Sequence, residues 1–415
     1  MDLTFRDTLT RRTQVLAGRR SDPLGMYVCG PTVYAPAHVG HARTYLLFDH
    51  VKRFFLTQGT RVHHIQNVTD FEDKITHRAV AQGLPWRTLA RREERSFARD
   101  MRDLGILPAR ATPRSSDYVA TMIRAIRHLE RRKVAYRKGR AVYFDASAVP
   151  HFQDFEVDEL LSAHAVPEPG NDALPEAEDP RDFVLWKPTR PPSPVWTSPW
   201  GPGMPGWHLE CFVMAKHHLP LPMDLHGGGL DLIFPHHYAE NLVSLAILGK
   251  PFSRNFLHEA FVTMGVRKMS KSLGNLVPLA QALRDISRGG LRAYLMSRNY
   301  QEPLEFFFPD ACRCDEMWRE DQRTFQGLLS PRDGTGYPLG SLSARLAELP
   351  KLVGHNLGIP EALESLHATA ESIRASGRSA VRPEDRRECR RILRAAGELL
   401  GMDLLPPPPD RRRAA

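Results

Sequence analysis

A chain of 415 residues has room for a catalytic domain of ordinary size and at least one helical or mixed appendage. Hydrophobic residues at 42% and charged residues at 25% stand near globular averages, which excludes wholesale disorder, and no apolar run approaches the length that spans a bilayer. The 57 Lys and Arg against 48 Asp and Glu leave a formal charge of +9, a balance that favours polyanionic partners or phosphorylated substrates.

Met1 to Arg20 is Arg-rich and lacks the apolar core of a secretory signal, so a cytoplasmic location is expected. The five cysteines then read as reduced thiols or metal thiolates, not as a disulfide framework. From Met26 to His64 the order is an apolar strand, a Gly-Pro break, a periodic helical stretch and a second strand near Arg61 to Ile65, which predicts a βαβ unit. Residues 72 to 104 and 116 to 138 read as amphipathic helices. Between Val142 and Asp182 the pattern loosens into Pro and acidic residues, as an insertion between two halves of a catalytic domain would. Strands and helices resume beyond Trp186, and the chain turns helical after Asn275. Past the Gly-rich joint Gly334 to Gly340 three short helical patterns reach Met402, ahead of a Pro- and Arg-rich tail.

Two segments are suited to phosphate. Pro36-Ala37-His38-Val39-Gly40-His41 falls where the first strand hands over to its helix, so two imidazoles would stand beside free backbone N–H groups, with Gly40 admitting a nucleotide closely. Lys268-Met269-Ser270-Lys271-Ser272-Leu273-Gly274-Asn275 offers two cations and hydroxyls that can grip a departing pyrophosphate. Each segment alone is ordinary; together they resemble the two signatures of class I aminoacyl-tRNA synthetases, with Val39 in place of Ile in the first and the second matched throughout. In that family His38, His41, Lys268 and Lys271 would be catalytic. The fold implied is α/β: a Rossmann-like parallel-sheet catalytic domain carrying a connective insertion and a C-terminal helical domain.

A metal site is also suggested. Cys29 ends the first strand, and Cys211 follows Gly206-Trp207-His208-Leu209-Glu210. In Pro235-His236-His237-Tyr238-Ala239-Glu240 the i to i+4 spacing puts His236 and Glu240 on one helical face, although His237 at i+3 serves equally on spacing alone. The stretches Tyr27 to Tyr34, Asn67 to Asp70, Asp182 to Pro188, Gly206 to Cys211, His226 to His237 and Met269 to Asn275 resemble the cysteinyl-tRNA synthetases. That resemblance implies one zinc ion held by Cys29, Cys211, His236 and Glu240. It further implies a cysteine pocket built from Trp207, Thr69, Asp231 and His226, and ATP, with magnesium, near His38, Gly40, His41, Gly227, Gly228, Gly229 and Lys271. Serine and cysteine differ only by oxygen for sulfur, too little for a packing sieve, whereas a thiophilic ion separates them.

The implied partners are cysteine, ATP and tRNA(Cys), with no membrane and a monomeric chain. The expected division is 1–115 and 196–275 for the two catalytic halves, 116–195 for the insertion, 276–330 for a stem-contact region, 340–403 for a short C-terminal helical region and 404–415 for a disordered tail. The family usually continues into an anticodon-binding region, and against that pattern the carboxyl end reads as curtailed. Two alternatives follow. One is a cysteine ligase like that of the mycothiol pathway, which passes the acyl group to an amino sugar; the other is a non-catalytic nucleic-acid-binding homologue.

Overall fold

The computed structural model describes residues 1–19, 21–149, 177–179, 181–265, 267–268 (backbone), 276–330, 336–378 and 380–405. A short hairpin, β1 (Leu3–Arg6) and β2 (Thr13–Leu16), leads into β3 (Leu24–Val28), which is buried at every position, as a central strand of a parallel sheet must be. Helix α1 (Val39–Thr57) follows and returns the chain to β4 (Val62–Gln66), parallel to β3 in the register Leu24 opposite Val62, so the predicted βαβ unit is present.

The stretch expected as one helix over 72–104 is two, α2 (Asp73–Ala81) and α3 (Trp86–Asp103), because Gly83 at positive φ and Pro85 interrupt it. Likewise only part of 116–138 is helical. A 3₁₀ turn at Ser115–Tyr118 opens α4 (Val119–Arg131), after which β5 (Ala135–Lys138) turns back as β6 (Ala141–Phe144). β7 (Phe183–Pro188) and β8 (Gly203–Pro205) complete an antiparallel sheet in the order β5-β6-β7-β8. This insertion therefore extends past the expected boundary at 195 to Pro205. Most of its acidic, Pro-rich stretch lies outside the described residues.

Helix α5 (Trp207–His218) leads to β9 (Leu225–Gly229), and α6 (Tyr238–Leu248) to β10 (Phe256–Glu259). The central sheet runs β10-β9-β3-β4, all parallel, so the second half of the domain inserts its strands beside β3. A small sheet of β11 (Val262–Met264), β12 (Arg267–Lys268) and, after α7 (Leu279–Asp285) and α8 (Arg288–Leu295), β13 (Leu304–Glu305) flanks it. The remainder is α9 (Phe308–Gly327), α10 (Leu339–Leu346), α11 (Leu349–Gly354), α12 (Ile359–Ala375) and α13 (Arg386–Leu400), where three short helical patterns were expected beyond the Gly-rich joint.

Two cores cover the sheet, as in doubly wound folds. One joins Phe5, Val39, Leu46 and Phe54 to Leu291, Phe325, Leu366, Leu393 and Leu404, so the C-terminal helices share a core with α1. Arg292 of α8 locks this face by donating to the Asp49 carboxylate of α1 at 2.7 Å. Leu404 is buried there, which moves the start of the expected tail; residues 406–415 lie outside the described residues. The second core joins β3 and α5 to α4, α6 and the insertion sheet. Among the described residues no helix is long and apolar enough to cross a membrane.

Candidate active site and metal centre

The carboxyl ends of β3 and β9 and the first turns of α5 and α6 converge on one buried point. Cys29 leaves β3, Cys211 faces inward from α5, and His236 and Glu240 bracket the start of α6. One donor atom from each of the four lies within 4.8 Å of every other. Cys29 Sγ stands 3.7 Å from Cys211 Sγ and 3.9 Å from Glu240 Oε1; His236 Nε2 is 3.4 Å from Cys211 Sγ and 3.1 Å from Glu240 Oε1. A mixed set of thiols, imidazole and carboxylate, enclosed at this spacing, suits a tetrahedral, thiophilic divalent ion. The helical i to i+4 geometry that favours His236 with Glu240 is present, and His237 reaches the same cluster from beside it, its Nε2 3.3 Å from Cys29 Sγ. Cys29, His226, His237 and Glu240 form a second such group, sharing two members with the first.

The electrostatics follow from this crowding. Burial alone would push the Cys29 thiol up, but the Cys211 hydrogen bond and the imidazoles of His237, His226 and His236 outweigh it and hold Cys29 well below the usual thiol range. Cys211 goes the other way, raised by burial and by the Cys29 and Glu240 charges. Glu240 is held down to about 2: burial opposes this, and His236 and His226 overcome it. Both imidazoles are raised in return to about 10, against burial, chiefly by Glu240. The anionic members are thus balanced by protonated imidazoles, and a divalent ion bound here would take the place of those protons, since His236 ligates only as a neutral imidazole.

Around the cluster stands a supporting layer. His226 is fully enclosed on β9, with Nδ1 3.0 Å from the Tyr27 carbonyl and Nε2 2.7 Å from Glu240 Oε2, so it orients the carboxylate instead of lining an open pocket as the resemblance implied. His208 Nδ1 faces His236 Nδ1 at 3.1 Å and fixes that ring, and His258 Nε2 does the same for His237 at 2.7 Å. Burial, followed by the neighbouring His236, lowers His208 to about 3, so it stays neutral. These two supports were not singled out from sequence: His208 sits in a quoted motif without a role of its own, and nothing in the spacing pairs His258 with His237.

Trp207, half-buried at the start of α5, stacks on His236 with ring centroids 4.1 Å apart and planes at 16°. Thr69, just past β4, donates to Glu210 Oε2 at 3.2 Å, and Ser115 donates to the same oxygen. Burial raises the Glu210 carboxyl well above its usual range. Asp231 stands exposed on the turn after β9. Gly30, beside Cys29, passes so close to β4 that a Cβ there would fall 1.6 Å from the Asn67 carbonyl oxygen.

His38 caps α1, and its ring stacks on His41 at 3.8 Å, each Nδ1 accepting from the other residue's backbone N–H at 3.4 Å. Both rings are half-buried at the sheet's carboxyl edge, with Gly40 between them. At Gly227 a Cβ would meet the Leu257 carbonyl at 2.0 Å and the Phe48 ring of α1 at 2.5 Å, so the bare backbone here also serves helix–sheet packing. Gly228 and Gly229 continue β9 toward Asp231. Of the second signature, Lys268 lies on β12 with its side chain outside the described residues, and Lys271 lies wholly outside them.

Residues 17–310 match the family model for the class I (C) tRNA synthetase catalytic domain. A cysteine-tRNA ligase of Aeropyrum pernix is 39% identical over 80% of this chain and 68% of its own, and one of Streptomyces avermitilis is 35% identical over 98% and 86%. In fold the chain is similar to Mycobacterium tuberculosis methionyl-tRNA synthetase in complex with methionyl-adenylate (TM-score 0.61, 18% identity, 91% of this chain and 89% of that one). It is similar also to a leucyl enzyme of Agrobacterium radiobacter in a ternary complex with tRNA (TM-score 0.65, 11% identity, 93% and 85%). With the catalytic-domain match covering well over half its length, the chain belongs to the class I tRNA synthetases, in their cysteine-tRNA ligase family.

Proposed function

We propose that the chain condenses cysteine with ATP to cysteinyl-adenylate and transfers the cysteinyl group to tRNA(Cys), with the amino acid chosen by its sulfur at a zinc site made of Cys29, Cys211, His236 and Glu240. The observation that carries this reading is the burial of those four donors within 4.8 Å of one another, at the strand edge that also presents His38 and His41. Zinc held there would prefer a thiolate to an alkoxide, which is the discrimination a packing sieve lacks.

The chain's own residues do the rest. Trp207, stacked on His236, walls one side of the pocket; Asp231 at the mouth and Thr69 position the amino and carboxylate ends of the amino acid. His226 and His208 hold Glu240 and His236 in their orientations. The carboxylate attacks the α-phosphorus in line, pyrophosphate leaves, and His38 and His41 at the α1 N-terminus donate to the phosphate oxygens as charge builds on them. Lys268 and Lys271 are assigned to the departing pyrophosphate, and magnesium accompanies the nucleotide. A cytoplasmic, monomeric enzyme fits the same reading.

Pyrophosphate exchange tests it. Exchange that depends on cysteine, with serine inert and about one zinc per chain by elemental analysis, is expected. Equal exchange with serine, or none with cysteine, would sink the proposal.

A further inference from the structure

Not every buried charge belongs to the metal cluster. Along β10 the side chains alternate: Phe256 and His258 face the histidines of the cluster, whereas Leu257 and Glu259 point into the core under α1. Glu259 Oε1 stands there 3.0 Å from Arg43 Nε, and both side chains are fully buried. Burial pushes the Glu259 carboxyl up to about 8, against the pull of Arg43, so near neutral pH it is mostly neutral and leaves the guanidinium its positive charge. Backbone oxygens meet that charge. Arg43 Nε donates to the Leu295 carbonyl at 3.2 Å, Nη1 to those of Ala260 and Phe261 at 3.2 and 3.4 Å, and Nη2 to that of Asn299 at 3.0 Å.

A cation is a costly way to fill a core position, since Leu or Met would pack there with no charge to desolvate. What an arginine adds is direction, because its planar fork can tie separate segments together at fixed angles. The segments tied here are informative. Ala260 and Phe261 join β10 to β11 and so precede the Lys268 to Asn275 signature in the chain, while Leu295 and Asn299 lie at and just past the end of α8. Beyond the signature, the Val277 carbonyl accepts from the Val39 N–H at 3.1 Å, and the Leu279 N–H donates to the Ala37 carbonyl at 2.9 Å. The first turn of α1, which carries His38 and His41, is therefore tied to the chain on both sides of the second signature. One tie is made by backbone at its start, the other by a side chain two residues past His41.

We propose that Arg43 is a positioning residue for amino-acid activation: its guanidinium sets the placement of His38 and His41 against the β10–β11 connection, and it touches neither substrate. The inference rests on the adenylate-forming reading. Its test uses the full-length chain with Arg43→Lys, which keeps a charge but gathers its donors on one nitrogen, and with Arg43→Met, which has no charge to bury. Leu393→Ala is the stability control, because Leu393 lies in the same core on α13, which meets the other end of α1 where Arg53 donates to the Glu398 carbonyl. Either arginine variant should lower kcat for cysteine-dependent pyrophosphate exchange by about 10–10²-fold, as a misplacement of up to about 1 Å would, with KM for cysteine and zinc per chain at parent values. Leu393→Ala should lower the denaturant midpoint and keep the parent kcat. In a His41→Ala background the loss caused by Arg43→Lys should shrink to about 3-fold or less, because the ring it places is gone. Parent kcat in both arginine variants, failure of both to fold, a kcat that tracks the denaturant midpoint across all three variants, zinc lost together with exchange, or full additivity with His41→Ala would each overturn the proposal and leave the activity standing. A parent chain without cysteine-dependent exchange would fell both this inference and the reading beneath it.

Discussion

The buried donor cluster and the N-terminus of α1 stand at the same sheet edge, yet they are built in opposite ways. Cys29, Cys211, His236 and Glu240 are each at most 5% exposed, and every member is braced by another side chain: His226 on Glu240, His208 on His236, Cys211 on Cys29. His38 and His41 are half-buried, held by each other's rings and by 3.4 Å backbone contacts. The difference fits the two tasks. Selecting sulfur over oxygen requires a fixed, dry coordination geometry, whereas receiving and releasing a triphosphate requires access.

That contrast can be broken by separating the two regions' readouts. The largest effect is expected of His41→Ala: removing one donor to the developing charge should cut cysteine-dependent exchange by about 10²–10³-fold while zinc stays at its parent stoichiometry. Metal loss in this variant would show that the helix terminus and the cluster are one unit. His226→Gln should act the other way round, weakening metal affinity by about 10–100-fold in a chelator competition, with exchange recovering when zinc is supplied in excess. An unchanged metal affinity would reduce His226 to packing.

A smaller effect concerns stability beneath both regions. His50 in α1 and His64 in β4 are fully buried, and each is lowered to about 3, first by burial and then by nearby cations, Arg292 for His50 and Lys52 for His64. The folded state keeps both neutral, whereas the unfolded chain takes up their protons below about pH 6.5. Their contribution is therefore complete above that pH and is lost as pH falls toward 3, by up to about 1.4 kcal/mol per pH unit for each. Denaturant midpoints should fall from pH 6.5 to 4.5, and His64→Leu should shallow that fall; an identical pH slope in the variant would contradict the account.

The sequence made the catalytic frame legible because its signals are local. A strand, a Gly-Pro break and a helix predicted the β3–α1–β4 unit, and the i to i+4 pairing of His236 with Glu240 is helix geometry that a short segment contains. What escaped depends on contacts between distant segments. The meeting of Cys29 with Cys211 came from family resemblance and not from spacing, and the roles of His208 and His258 depend on how α5 and β10 pack beside α6. The packing role of Gly227 escaped because nothing local announces that Phe48 of α1 needs its space. The C-terminal helices read as an appendage, although Leu393, Leu400 and Leu404 join the core under α1. That the insertion sheet takes in Gly203–Pro205 is not legible in sequence, because β8 is only three residues long and its pairing with β7 has no local signal.

The selection of sulfur by a metal is tested most directly on Cys211→Ser, assayed for bound zinc and for pyrophosphate exchange with cysteine and with serine side by side. The account predicts that zinc falls well below one per chain and that the preference for cysteine over serine collapses. Full zinc occupancy together with undiminished rejection of serine would contradict it.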